Sequence, residues 1–168
     1  MALDLGGTVH RGASGGAGEI GYLPVPKTAS SIDVDATDLQ DLIGGSTVVD
    51  IAHRHGVEGT DARSIADAMV GHPERAEVFA ELAPRIAHGV IPVLAILDPE
   101  VIVLGGPIGA AGGDALAYLV RREIERDHLW RPRVAGSAVE GHPVLRGARE
   151  VLMHRLRDLL FTEIDSFS

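Results

Sequence analysis

Three features of the sequence predict an α/β domain. The continuously apolar, β-branched run Val101-Ile102-Val103-Leu104 stops at Gly105-Gly106, as a central strand covered on both faces does. Segments with helical spacing of apolar residues lie on either side of it, and residues 133–137 read as a second short strand. The chain opens on short apolar pieces cut by glycine, the pattern of a hairpin. A hairpin followed by an α-β-α-β-α succession belongs to the α/β class. With 168 residues, one domain with a substantial core is expected.

The elements follow in order. Residues 2–5 and 9–11 can pair across Gly6-Gly7-Thr8, where glycine supplies positive φ. Residues 20–25 read as extended, because Pro24 and Pro26 forbid a helix there. Residues 27–36 are polar and read as a loop. Thr37 is positioned to cap a helix with Leu39, Leu42 and Ile43 on one face, ending at Gly44-Gly45. Ser46 is the expected cap of the next helix, which stops at Gly56, and Thr60 or Asp61 that of a short one bearing Ile65, Ala66 and Met69. A long helical stretch is predicted from Pro73, kinked or split by Pro84 and Pro92. Beyond the strand at 101–104, helices are expected over 113–127 and 144–161.

Composition narrows the function classes. The net charge of −9 argues against direct nucleic-acid binding, which wants clustered Lys and Arg. The basic stretches at 121–133 and 146–157 alternate with acids or apolar residues, as solvated helix faces do. Zero cysteines exclude disulfides and thiolate metal sites and fit a cytoplasmic protein. No run of about 18 apolar residues marks a membrane span, and the N-terminus lacks a signal-peptide pattern. The 21 glycines call for special backbone geometry.

Several motifs fail on context. Gly16-Ala17-Gly18-Glu19-Ile20-Gly21 matches a dinucleotide fingerprint in form, but Leu23-Pro24-Val25-Pro26 cannot be the helix that fingerprint needs. Asp4-Leu5-Gly6-Gly7-Thr8 is similar to the phosphate loop of actin-like ATPases, yet reads as a hairpin turn because only three residues precede it. Asp33-x-Asp35-x-Thr37 lacks the glycine and bidentate glutamate of a calcium loop. His53 and His55 fall on different helix faces, and His10, His72, His88, His128, His142 and His154 have no partner at metal-ligand spacing. The paired glycines Gly105 and Gly106 are more informative, since α/β sheets bind ligands beyond the carboxyl ends of their strands.

Residues 11–25, RGASGGAGEIGYLPV, resemble the R-G-x-x-G-x-A-G-E-I-G-H-x-x-V segment of the ROK family of sugar kinases and sugar-responsive repressors. Residues 97–106, LDPEVIVLGG, resemble a second family marker, and Arg146-Gly147-Ala148 a third. The resemblance implies the C-terminal lobe of an actin-like, hexokinase-type (ribonuclease H-like) ATPase fold. It makes residues 1–168 a single domain: hairpin and sugar-site turn over 1–26, a loop replacing the zinc motif over 27–36, and a helical and α/β part over 37–168.

By that resemblance Glu19 contacts sugar hydroxyls, a role a carboxylate fills well. Tyr22 stands where the family has a sugar- and zinc-binding His, and Gln40 where it has a second sugar-contacting Glu. The family's zinc cysteines have no counterpart, so no zinc cofactor is expected. Gly105 and Gly106 match the adenosine-contacting turn, and ATP with Mg would matter only in a kinase. No catalytic residue maps onto the chain, because the family's general base and phosphate loop belong to the other lobe. The resemblance therefore favours the sugar-sensing, dimerising part of a transcriptional regulator. DNA would be reached only through a winged-helix domain that this sequence lacks. The alternative is the C-terminal part of a sugar kinase. A homodimer, a small sugar effector and no membrane partner are expected.

Overall fold

A computed structural model describes residues 1–139 and 143–166 of the chain. The opening residues form the expected hairpin: β1 (Leu3–Asp4) pairs antiparallel with β2 (Val9–His10), Leu3 opposite His10. Gly6 and Gly7 sit at φ 66° and 83°, the left-handed pair that a tight hairpin turn requires. The Asp4 carboxylate accepts from Gly7 N–H at 2.7 Å, so the Asp4-Leu5-Gly6-Gly7-Thr8 sequence closes a turn.

Residues 20–25 are not extended throughout. Ile20–Tyr22 forms a 3-10 turn, and only then does the chain straighten, with Pro24 bridging antiparallel to Asp38. The prolines act after the turn, and the glycines before it let the chain tighten. Residues 27–36 are likewise more ordered than a loop, because Lys27–Ser31 makes a second 3-10 turn.

α1 (Leu39–Ile43) is capped by Asp38, whose carboxylate accepts from Asp41 N–H, and not by Thr37. The Thr37 hydroxyl instead binds the Asp41 carboxylate at 2.7 Å, bracing the same first turn. α2 (Gly45–Arg54) starts at Gly44 rather than Ser46, one turn being too short to separate the two helices further. α3 (Ala62–Ala68) begins with a capping box between Asp61 and Ser64, as the sequence predicts.

α4 (Arg75–Leu97) runs unbroken through Pro84 and Pro92. Each proline costs the helix roughly 3 kcal/mol. Burial of Val78, Phe79, Leu82 and Leu94 offsets that cost at about 2 kcal/mol per side chain. α4 is long and apolar enough to cross a membrane, but it packs along α5 (Gly106–Asp127) as the spine of the core. Ile51, Ile65, Met69, Leu116 and Ile124 complete that core. A smaller cluster of Ala29, Leu39 and Leu42, with Ile20 and Leu23 against it, ties the segment after the glycine turn to α1.

β3 (Val101–Leu104) and β4 (Arg133–Gly136) pair in parallel, with Val101 opposite Arg133 and Leu104 opposite Gly136. The expectation of a central strand covered on both faces is not met. β4 is the one strand paired with β3 among the described residues. Leu104 faces the core, whereas Val101 and Val103 are 38% and 57% exposed on the other face. A continuous apolar run cannot tell one covered face from two.

α5 begins at Gly106, seven residues before the position predicted from apolar spacing. The predicted start survives as a break, for Gly113 leaves helical geometry at φ 49°, ψ −138°. α6 (Pro143–Ser166) is exposed along its described side chains.

Candidate functional site

The glycine-rich turn is built from residues that only glycine can serve. Gly12, Gly15 and Gly18 take φ of 71°, 81° and 91°. A side-chain carbon on Gly18 would strike the Met1 carbonyl. The turn is laced by Ala17 N–H donating to Arg11 carbonyl at 3.1 Å and Ile20 N–H to Gly18 carbonyl at 2.8 Å. Glu19 caps the 3-10 turn that ends at Tyr22. Glu19 stands just before that turn, with φ −75° and ψ 60°, and Tyr22 is its last residue. Both are exposed, Tyr22 at 83%.

Gln40, on α1, reaches the same turn. Its amide oxygen lies 3.1 Å from where a Cβ of Gly21 would stand, and its amide nitrogen lies against Gly44. Two glycines thus make the slot that holds this side chain. Glu19 and Tyr22 thus flank the 3-10 turn, and Gln40 lies against Gly21 within it. Their polar groups can hydrogen-bond hydroxyls, and each of the three residues is exposed.

The segment behind this turn is fastened by a residue that sequence patterning misses. Arg85 of α4 is 5% exposed. Its guanidinium donates to the Asp33 carboxylate at 3.2 Å, the Leu42 carbonyl at 3.3 Å and the Ile32 carbonyl at 3.3 Å. Its Nε is left without a partner. One cation thus ties residues 32–33 to the end of α1 and to α4, over the stretch where a zinc motif would stand. The hydrogen bond from Arg85 holds the Asp33 carboxyl below the ordinary carboxylate range, against a weaker opposing effect of burial. Burial pushes the nearby Glu81 upward, but hydrogen bonds from His55 and Arg54 outweigh it and leave Glu81 lowered.

A second site lies at the carboxyl ends of β3 and β4. A cavity of about 420 Å³ is walled by Arg63 and Asp67 of α3, by Gly106, Pro107 and Ala110 of α5, and by Ser137 after β4. Its size falls within the usual range of small-molecule sites. Gly105 caps α5 and Gly106 takes φ 71°, so the chain turns from strand to helix with no side chain in the way. Gly109 brings α5 onto the backbone of Leu104, and Gly136 lies against the backbone of Gly113. α5 starts at the end of β3 with no side-chain cap, an arrangement that favours anionic or polar ligands. Gly106 lines this cavity. Arg63 and Asp67 were not foreseen, although their i, i+4 spacing on α3 places them on one face.

Three of the histidines serve local structure. His53 contacts the Gly59 carbonyl at 2.7 Å, His55 pairs with Glu81 at 3.0 Å, and His72 accepts from Glu74 N–H at the start of α4. His142 lies outside the described residues.

The fold and these two turns define the C-terminal lobe of an actin-like, hexokinase-type protein. The chain belongs to the ROK family, whose model matches residues 2–138. Among solved structures it is similar to a Cytophaga hutchinsonii protein assigned as a sugar kinase, at 18% identity and TM-score 0.66, covering 90% of this chain and 53% of that one. It is similar to a ROK family protein of Streptococcus pneumoniae solved in complex with sucrose, at 22% identity and TM-score 0.58, over 82% of this chain and 48% of that one. In sequence it is 34% identical over 110 residues to the bifunctional enzyme NanE/NanK of Brucella melitensis, covering 65% of this chain and 20% of that protein. An uncharacterized Clostridium perfringens protein is 35% identical over 140 residues, covering 81% of this chain and 39% of that protein. The chain thus spans about half of the solved structures and less of the sequence relatives.

Proposed function

We propose that the chain is the sugar-recognising lobe of a ROK-family sensor, the effector-binding part of a transcriptional regulator. The observation that carries this reading is the glycine turn itself: exposed Glu19 and Tyr22 flank its 3-10 turn, and Gln40 is seated against Gly21. A carboxylate, a phenol and an amide together offer acceptors and donors for the hydroxyls of a saccharide. The ROK protein solved with sucrose supports a saccharide as the ligand class. The exchanges at the His and second Glu positions, with the architecture kept, favour binding over phosphoryl transfer.

A second reading is a lobe of a ROK sugar kinase. The cavity at the start of α5 favours it, because Gly106, Arg63 and Asp67 would suit a nucleotide. The assignment of the Cytophaga hutchinsonii structure points the same way.

Calorimetric titration with a panel of hexoses and N-acetylhexosamines tests the first reading. Binding by the native chain, lost in Glu19→Ala with unchanged circular dichroism, is the expected result. Affinity that survives the substitution would remove Glu19 from the site. Sugar phosphorylation in the presence of ATP and Mg would overturn the sensor in favour of the kinase.

A further inference from the structure

α4 carries its two prolines on one side, and that side walls a cavity that neither site above includes. The cavity measures about 920 Å³, near the upper end of the usual range for small-molecule sites. Ala80, Pro84, His88 and Pro92, each four residues from the last, form its wall on α4. Ile32 borders it from the segment behind the glycine turn, and Glu123 and Arg126 from near the end of α5.

The prolines give this wall its chemistry. A helical carbonyl ordinarily accepts from the N–H four residues on, and proline has none. Pro84 therefore leaves the Ala80 carbonyl without its helical donor, and Pro92 does the same to the His88 carbonyl. Each such oxygen lies between residues i and i+4, and here both members of each pair border the cavity. The two acceptors stand about 12 Å apart along the helix axis. That is too far for one sugar ring to reach both, and within reach of two linked rings.

The charges on the wall disfavour an ionic ligand. Glu123 and Arg126 pair at 2.8 Å and neutralise each other. An anion would face two carbonyl oxygens and Glu123, and a cation would face Arg126. A neutral molecule rich in hydroxyls fits both, since each hydroxyl donates and accepts. The His88 ring is fixed on the wall, because its Nδ1 donates to the Pro84 carbonyl at 2.8 Å. Between the polar groups, Pro84, Pro92 and Ile91 offer apolar surface to the C–H faces of a sugar ring.

We propose that this cavity is a second saccharide site, which takes a neutral disaccharide against the two proline-freed carbonyls of α4. It is separate from the glycine turn, and Glu19 does not border it.

Trp130 is the single tryptophan of the sequence. Its ring lies 5.5 Å from that of His128, which borders the cavity, so its fluorescence reports on this site. The full chain would be titrated with sucrose, maltose and lactose at about pH 8, above the ordinary histidine range. A saturable change is expected in the native chain and equally in Glu19→Ala. Pro84→Ala with Pro92→Ala restores both N–H donors. That variant should raise the unfolding midpoint while weakening disaccharide binding about tenfold or more. Ala80→Phe, at an exposed point of the wall, should block the cavity and weaken binding as much. Spermidine and benzoate should give no saturable change. A native chain that shows neither a fluorescence change nor heat of binding, or affinity retained in either wall variant, would overturn the site. A response lost in Glu19→Ala would assign it to the glycine turn instead, and binding of spermidine or benzoate would overturn the ligand class.

Discussion

Replacing Arg85 tests what holds the segment behind the glycine turn. Arg85→Ala removes three hydrogen bonds, of 3.2, 3.3 and 3.3 Å, and leaves the Leu42 and Ile32 carbonyls without that donor. Deleting one partner of a buried ion pair costs about 3–5 kcal/mol. Two features pull the value to the lower end. The Asp33 side chain is 30% exposed, so its charge can rehydrate, and the unpaired Nε already burdens the native state. The expected loss is about 3 kcal/mol. Arg85→Met keeps the apolar stem and discards the unpaired nitrogen, so it should cost about 1–2 kcal/mol. Urea unfolding followed by circular dichroism measures both.

The acid limb gives an independent check. The folded-state pKa of Asp33 is depressed, so its contribution is present above its unfolded value, near pH 4, and is lost as pH falls through the folded value. The gap between native chain and Arg85→Ala should therefore shrink below about pH 4. A loss under about 1 kcal/mol at neutral pH, or a Met variant as unstable as the Ala variant, would refute the assigned role.

Two further substitutions probe the packing that shapes the second site. Gly109→Ala drives a methyl into the Leu104 backbone and should cost about 2–3 kcal/mol in the same assay; a neutral outcome would mean α5 does not sit so close to β3. Leu104→Ala should cost about 3 kcal/mol, while Val103→Thr on the open face of the same strand should stay within roughly 0.5 kcal/mol. Equal costs would show that both faces are covered.

What the sequence disclosed and what it hid have physical reasons. Gly6-Gly7 and the Asp61–Ser64 box are local devices, so residues within a few positions determine them. The ROK markers located the two turns, and the structure seats Gln40 on the first and Gly106 on the second. Arg85 stayed hidden because its partner Asp33 is 52 residues away, and an arginine on a helix reads as solvated. The first turns of α5 were hidden by their own composition. Gly106, Gly109 and Gly112 interrupt the apolar spacing, so the predicted helix starts only at 113, when Gly109 is there to let the helix touch β3. The sidedness of β3 was illegible because Val101 and Val103 are as apolar as their neighbours. What lies opposite them is a matter of topology.

The contact between Gly113 and Gly136 restricts what this lobe can become. A first side-chain carbon on Gly136 would lie 2.7 Å from the Gly113 Cα and 2.8 Å from its carbonyl carbon. Most tight contacts leave evolution an escape, in which a larger residue on one side is tolerated once its neighbour shrinks. Here the neighbour is already glycine and the obstacle is main chain, so no second-site suppressor at residue 113 exists. Gly113 itself, at positive φ, is equally bound. Ser137 and the first turns of α5, which wall the cavity, hang from these two positions. Ligand preference there can drift through Arg63, Asp67 or Ser137, while the backbone that carries them stays frozen.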